Sequence, residues 1–288
     1  MLLVADKWKQ FKLIDAGDNE KIEQWGNYIL RRPDPQAIWN RQDFSYWDKY
    51  DGFYERSNTG GGIWKIRKFP ESWIINYGEL KFYIKPTGFK HTGLFPEQSV
   101  NWDFMIQKIR NAQRPIKVLN LFAYTGGATV ACAYAGAEVC HVDSAKGVVA
   151  WAKDNIKLSG LEDRTVRFIV DDVIKFVERE IRRGNYYDAI VMDPPVFGRG
   201  TTGEVWKIEE KLVDLINLTL KVLSDNPLFY IINSYTSAFS SIVLHNVMNT
   251  TINKTFPGSL QSGELGLKTL KTDLVLPCGI YSKWETKQ

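Results

Sequence analysis

The sequence predicts an α/β fold, a doubly wound and mostly parallel sheet preceded by a small β-rich N-terminal region. Three observations carry this. From residue 116 onward, short runs that are apolar throughout alternate with amphipathic stretches of helical spacing, the pattern of a parallel sheet covered on both faces. Before that point, β-branched and aromatic runs are separated by Gly, Asn, Asp and Pro, as in antiparallel strands joined by turns. The length of 288 residues suits two domains, and the change of texture divides the chain into 1–98 and 99–288.

In the front part, FKLIDAG (11–17), NYILRR (27–32), GIWKIRKF (62–69), SWIINYG (72–78) and LKFYIKP (80–86) read as strands. SNTGGG (57–62) is a loop and NYGE (76–79) a hairpin turn. Residues 33–56 open with Pro and Asp and read as an irregular connector. Trp102, Met105, Ile106 and Ile109 share one helical face, which predicts a helix over 99–112. The strands IKVLNLF (116–122), EVCHVDS (138–144), VRFIVDD (166–172), YDAIVMDPP (187–195) and LFYIINSY (228–235) then alternate with helices. These helices are GATVACAYAG (127–136), KGVVAWAKDNIKLSG (146–160), VIKFVEREIRRG (173–184) and VWKIEEKLVDLINLTLKVLS (205–224). LPCGIYSKWE (276–285) reads as a closing strand.

Composition excludes several classes. No run approaches the roughly 18 apolar residues of a membrane span, and the charged start MLLVADKWKQ is no secretory signal. Three widely spaced cysteines, Cys132, Cys140 and Cys278, form neither a disulfide framework nor a zinc motif, so no metal site and a reducing, cytoplasmic compartment are expected. The net charge of +4 is uneven: residues 1–115 carry 18 Lys and Arg against 14 Asp and Glu, whereas 116–288 carry 19 against 19. Seven of the ten tryptophans precede residue 116. A basic, aromatic-rich front can hold single-stranded nucleic acid, with Lys65, Arg67 and Lys68 as candidate phosphate contacts. Equally, tryptophans can fill the thin core of a small β-domain.

Chemistry gathers at the strand ends, where open α/β sheets bind ligands. The first strand breaks into Phe122-Ala-Tyr124-Thr125-Gly126-Gly127. The two glycines are expected to let the backbone pass close to a ligand and let a helix start at once. The second strand ends at Asp143, 17 residues after Gly126, near where an acid grips ribose hydroxyls. The third ends in Asp171-Asp172 and the fourth in Met-Asp193-Pro194-Pro195. Neither proline can donate to a ladder, so this turn is a stiff bend that leaves a carboxylate facing the crevice. A dinucleotide site would prefer G-x-G-x-x-G, and this chain has only adjacent glycines.

VLNLFAYTGGATV, HVDSAKGVVAWAKDNIKLSGL, FIVDDVIKFV and YDAIVMDPPVFGRG together resemble the successive motifs of class I S-adenosylmethionine-dependent methyltransferases, which have a Rossmann-like sheet. They are similar in particular to the group holding the large-subunit rRNA cytosine-C5 and guanine-N7 base methyltransferases. FKHTGLFPEQ (89–98) resembles the segment preceding that group's catalytic domain. The resemblance covers about residues 80–240. It implies S-adenosylmethionine as cofactor, with Phe122, Tyr124, Thr125, Gly126 and Gly127 lining its methionine and ribose portion. Asp143, beside Ser144, would hold the ribose hydroxyls. Asp172 would accept the adenine amine, with Asp171 replacing a smaller residue. Asp193, Pro194 and Pro195 would sit beside the reactive methyl, and Phe95 and Gln98 would cover it. Members often carry arginine at the position of Ser99.

One departure bears on the acceptor. Methylating cytosine C5 needs a thiolate to attack C6, and that group's cytosine enzymes place it in a Ser-Cys-Ser-like turn after the fifth strand. Here the matching stretch is INSYTSAFS, with Tyr235 in that position. The expected reaction is therefore methylation of an rRNA-base nitrogen, which brings its own lone pair. The Gly-rich FGRGTTGEVW (197–206) is read in two ways. Phe197 or Trp206 stacks on a flipped base while Arg199 meets a phosphate, or the stretch is a connector with Thr201 or Thr202 capping the next helix and Trp206 in the core. His91 and His141 read as structural. Rival functions are methylation of a protein or small molecule, an NAD-dependent oxidoreductase, and a binding module without catalysis.

Overall fold

The computed structural model describes residues 1–57, 61–88, 90–199, 205–236 and 238–287, without the side chain of Arg199. The chain divides into two compact units: Met1–Leu3, Asn101–Leu265 and Gly279–Gln288 form one, Val4–Val100 and Gly266–Cys278 the other. A single cut at 98/99 therefore leaves out two exchanges, the N-terminal tripeptide and the segment 266–278.

After β1 (Leu2–Val4), the β-rich unit is built from β2 (Phe11–Gly17), β3 (Glu20–Trp25), β4 (Tyr28–Pro33), β5 (Gly52–Arg56) and β6 (Gly62–Arg67), hydrogen-bonded in that order. A separate hairpin pairs β7 (Trp73–Tyr77) with β8 (Leu80–Ile84) around Gly78, whose φ is +55°. Strand β5 lies inside the stretch read as irregular. It forms because it finds a parallel partner in β4 and an antiparallel one in β6, pairings with no local signal. Tryptophans fill this core: Trp8, Trp25 and Trp47 are buried, and rings pack in sequence, Trp8 on Tyr77, Phe11 on Trp25, Trp64 on Phe69 and Phe69 on Trp73.

The larger unit follows the alternation seen in the sequence. Its elements are α1 (Ser99–Asn111), β9 (Lys117–Leu121), α2 (Gly127–Tyr134), β10 (Glu138–Asp143), α3 (Lys146–Leu158), β11 (Val166–Val170), α4 (Val173–Arg183) and β12 (Ala189–Met192). There follow β13 (Phe197–Arg199), β14 (Val205–Lys207), α5 (Ile208–Leu220), β15 (Phe229–Ser234), α6 (Ser241–Thr250), α7 (Ile252–Thr255), β16 (Gly258–Lys268) and β17 (Val275–Thr286). Among the described residues β1, β9 to β12 and β15 to β17 form one eight-stranded sheet, ordered β1-β16-β17-β15-β12-β9-β10-β11, and β13 pairs with β14 apart from it. The four central pairings, from β15 to β11, are parallel, and β17 runs antiparallel to β15. The α/β, doubly wound expectation is met.

Each central strand is buried on both faces. Leu119, Leu121, Val142, Ile190, Met192 and Ile232 pack with Phe176, Leu212, Leu215 and Met248 from α4, α5 and α6. The opposite parity, Asn120, His141, Phe229 and Asn233, meets α1 and α2 through Asn101, Phe104 and Thr129. The order reverses between β9 and β12, which opens a crevice at their carboxyl ends.

Two elements differ from the reading above. Val205–Lys207 is not the first turn of a helix but a strand, paired with Phe197–Arg199. β-branched Val205 and aromatic Trp206 favour an extended chain, and the helix starts three residues later, with Glu209 and Glu210 in its first turn suited to its dipole. Strands β1 and β16 had no sequence signal: GSLQSGELGLK is rich in Gly and Ser, and it becomes a strand by pairing with β17.

Candidate functional site at the carboxyl end of the sheet

The turn after β9 is held in an unusual conformation. Phe122, Tyr124 and Gly126 have φ of 53°, 49° and 83°. The left-handed region costs the two non-glycine residues on the order of 1 kcal/mol each. Neighbours over-determine this path: Ala123 N–H donates to the Val142 carbonyl (3.1 Å) and Gly126 N–H to that of Ala123 (3.0 Å). Tyr124 N–H donates to Asp143 Oδ2 (3.0 Å), and the buried Asn155 of α3 donates to the Thr125 carbonyl (2.9 Å). Helix α2 begins immediately, with Gly126 as N-cap, as expected. The atoms that would meet a side chain there, however, are the protein's own. A Cβ on Gly126 would lie 2.9 Å from Ala152 Cβ, and one on Gly127 2.8 Å from Trp102 Cζ2.

The expected carboxylates stand at this same end, on β10 and just after β11 and β12. Asp143, half-buried, closes β10 and accepts from Tyr124 N–H through Oδ2 and from Ala145 N–H (2.9 Å) through Oδ1. Ser144 beside it is exposed. Asp171 accepts from Asp172 N–H (2.8 Å) and pairs with Arg179. Asp172 is exposed and is the N-cap of α4, where Oδ1 accepts from Lys175 N–H (3.0 Å). Asp193 follows β12 half-buried, Pro194 is buried and Pro195 exposed. The Pro195 carbonyl accepts from Trp206 Nε1 (2.6 Å), and the Trp206 ring lies 6.0 Å from Phe122. Trp206 is half-buried, beside Phe122 and packed with it against the core of this unit. Phe197 is 54% exposed. Thr201 and Thr202 lie outside the described residues.

Each carboxylate oxygen has about two acceptor positions. On Asp143 each oxygen uses one for a backbone N–H, which fixes the rotamer and leaves the other positions for paired hydroxyls. Asp172 uses only Oδ1 in capping. This set of acceptors fits the ribose diol and amino group of a nucleoside. Tyr235 directly follows β15, and Gly279 makes room for its ring: a Cβ on Gly279 would lie 3.0 Å from Tyr235 Cδ1. Cys132 and Cys140 are buried, and desolvation raises both thiols, Cys140 to about 11.

The remaining candidates belong to the β-rich unit. Phe95 N-caps the short 3₁₀ turn Pro96–Gln98, and Gln98 N–H donates to the Phe95 carbonyl (3.1 Å). Ser99, where relatives often have arginine, is fully buried and accepts from Trp8 Nε1 (3.1 Å). Lys65, Arg67 and Lys68 are exposed; Lys65 pairs with Glu55, and Arg67 stands over the Phe69 ring at 5.6 Å. Burial, with Arg32 and Lys90 nearby, lowers His91 to about 4. Cys278 is also raised well above its usual range by burial. The sequence reading missed Asn155, although a polar residue in line with the buried Val149, Ala152 and Ile156 of α3 is a readable signal. Among the described residues no group of three or more His, Cys, Asp or Glu could hold a metal, and no helix is long and apolar enough to cross a membrane.

Residues 56–227 match the family model for S-adenosylmethionine-dependent methyltransferases. A SAM-dependent methyltransferase from Agrobacterium tumefaciens is 38% identical, with a TM-score of 0.94 over the whole of this chain and 94% of that one. The ribosomal RNA large subunit methyltransferase K/L of Shewanella baltica is 35% identical over 150 residues, 51% of this chain. The chain spans about a fifth of the length of such curated relatives. A tRNA m1G37 methyltransferase from M. jannaschii, at 13% identity and TM-score 0.56 over 96% of this chain and 74% of that one, shares the fold. The glycine turn, the acids ending successive strands and the match over more than half the chain agree, and the chain belongs to the S-adenosylmethionine-dependent methyltransferases.

Proposed function

We propose that this protein transfers a methyl group to a nitrogen of an rRNA base. S-adenosylmethionine, when bound, supplies an already activated methyl on its sulfonium. The chain's own task is to align an acceptor in line with that methyl and exclude water. Asp143 holds the ribose hydroxyls and Asp172 the adenine amine. Phe122, Tyr124, Thr125, Gly126 and Gly127 line the methionine and ribose portion. Asp193 accepts a proton or hydrogen bond from an exocyclic amine, with Pro194 and Pro195 stiffening the bend that presents it. Phe197 and Trp206 offer faces to a flipped base and Arg199 a cation to a phosphate.

The observation that carries the nitrogen acceptor is Tyr235 in the position of the attacking thiol, with Cys132 and Cys140 buried elsewhere in the same unit. The rRNA acceptor is supported by the K/L relatives and by the exposed cations of the β-rich unit. Three free cysteines accord with a reducing, cytoplasmic setting. Labelled-methyl transfer onto total RNA, protein and metabolites from a deletion strain, followed by nucleoside mass spectrometry, tests this. Label in a nitrogen-methylated nucleoside is expected. Label confined to protein or metabolites would remove the RNA reading, and 5-methylcytidine would remove the nitrogen. Joint replacement of Lys65, Arg67 and Lys68 by Ala should weaken RNA binding, reduce the slope of log K on log salt by roughly 0.7 per lost phosphate contact, and leave cofactor binding intact.

A further inference from the structure

Behind the glycine turn lie three buried polar residues that none of the roles above uses: Asn120 on β9, Thr129 on α2 and His141 on β10. Asn120 Nδ2 donates to Thr129 Oγ1 at 2.9 Å, and Thr129 Oγ1 lies 2.9 Å from His141 Nδ1. The direction of the second bond follows from counting protons. Thr129 has one hydroxyl hydrogen, and its hydrogen-bond partners among the described residues are the Asn120 amide, which donates to it, and His141 Nδ1. The hydroxyl therefore donates to Nδ1, and Nε2 carries the ring hydrogen. Nε2 is buried and has no hydrogen-bond partner among the described residues. A buried donor left unmatched is destabilising, and an apolar trio would pack here without that penalty. The polar chain is thus better explained by geometry than by stability.

That geometry concerns the corner where the cofactor turn is made. His141 shares a face of β10 with Asp143, two residues on, and a Cβ on Gly126 would lie 3.6 Å from His141 Cε1. Thr129 is in the first turn of α2, and Asn120 precedes the last residue of β9. The three elements that meet at the turn are thereby tied at fixed spacing. We propose that the Asn120–Thr129–His141 chain is a positioning element for the cofactor turn. It sets the distance between β10, which carries Asp143, and the start of α2, so that Tyr124 N–H meets Asp143 and the strained turn keeps its shape. The inference rests on the methyl-donor reading of that turn.

The test is Thr129→Val, which removes the hydroxyl, beside Thr129→Ser, which keeps it. Calorimetric affinity for S-adenosylhomocysteine should fall about tenfold in Thr129→Val and stay at the wild-type value in Thr129→Ser. In methyl transfer the KM for the donor should rise by a like factor with kcat little changed. Tm should fall, because Asn120 Nδ2 is left buried without its acceptor, and hydrogen exchange should quicken more at Tyr124 than elsewhere. If Thr129→Val does not fold, Asn120→Ala, which leaves the threonine–histidine pair in place, is expected to show the same split to a smaller degree. Nitrogen NMR should find His141 protonated on Nε2. Wild-type affinity and exchange in both folded variants would overturn the proposal. So would a loss of affinity accompanied by exchange that quickens no more at Tyr124 than elsewhere. A wild-type protein that binds no S-adenosylhomocysteine would instead overturn the donor reading itself.

Discussion

Asp143 has two tasks that cannot be separated by substitution. Its oxygens accept the backbone N–H groups of Tyr124 and Ala145, and in the proposed function they also take the ribose hydroxyls. Hydrogen bonds to a charged acceptor contribute roughly 1.5–3 kcal/mol each, so Asp143→Ala should lower S-adenosylhomocysteine affinity by about a hundredfold or more by calorimetry. Asparagine should not rescue it, because its NH₂ must face one of the two N–H donors. Unchanged affinity in Asp143→Asn would show that the carboxylate is not the anchor. Gly126→Ala places a Cβ 2.9 Å from Ala152 Cβ at a φ of +83° and should cost about 1–3 kcal/mol in urea unfolding. In sequence the glycine pair suggested close approach by a ligand. The space is taken by Ala152 and Trp102, whose proximity depends on how α3 and α1 pack and has no trace in the turn itself.

At the level of the element, α4 shows how a residue proposed for the site also serves the fold. Asp172 caps it and Gly184 ends it at a φ of +64°. Asp172→Ala should therefore cost about 1 kcal/mol of stability, roughly 2–4 °C in Tm, in addition to any loss of cofactor affinity. A change in affinity without a change in Tm would remove the capping role. Helices α1 to α4 were legible because their apolar spacing and end residues are local. The β13–β14 hairpin was not: its strands are three residues each, and Trp206 is placed by an N–H bond to the Pro195 carbonyl, a partner eleven positions away.

Across the molecule, buried histidines couple stability to pH. His141 is lowered from 6.5 to about 3 and His91 to about 4, both chiefly by burial. Above pH 6.5 neither state binds these protons and stability is undiminished. As pH falls below 6.5 the unfolded chain takes up protons that the folded one refuses, and stability declines until the folded values are reached. For His141 the decline is up to about 1.4 kcal/mol per pH unit. Urea midpoints should therefore be level between pH 7 and 8 and lower at pH 5; equal midpoints at pH 7.5 and pH 5 would contradict this burial. The larger unit's two thiols should also prove dispensable: Cys132→Ala with Cys140→Ser should retain methyl transfer after correction for folded fraction, and loss of transfer in a folded double variant would reinstate a thiol mechanism.

Sheet class, helix spans, the glycine turn and the acids at the strand ends could be read directly from the chain, because each depends on periodicity or on residues adjacent in sequence. The exchange of residues 1–3 and 266–278 between units, the pairing that makes β1, β5 and β16 strands, and the burial of Ser99 under Trp8 emerged only with the folded chain. They depend on hydrogen-bond partners and packing surfaces far away in sequence, and no local pattern of side chains encodes which distant segment will supply them.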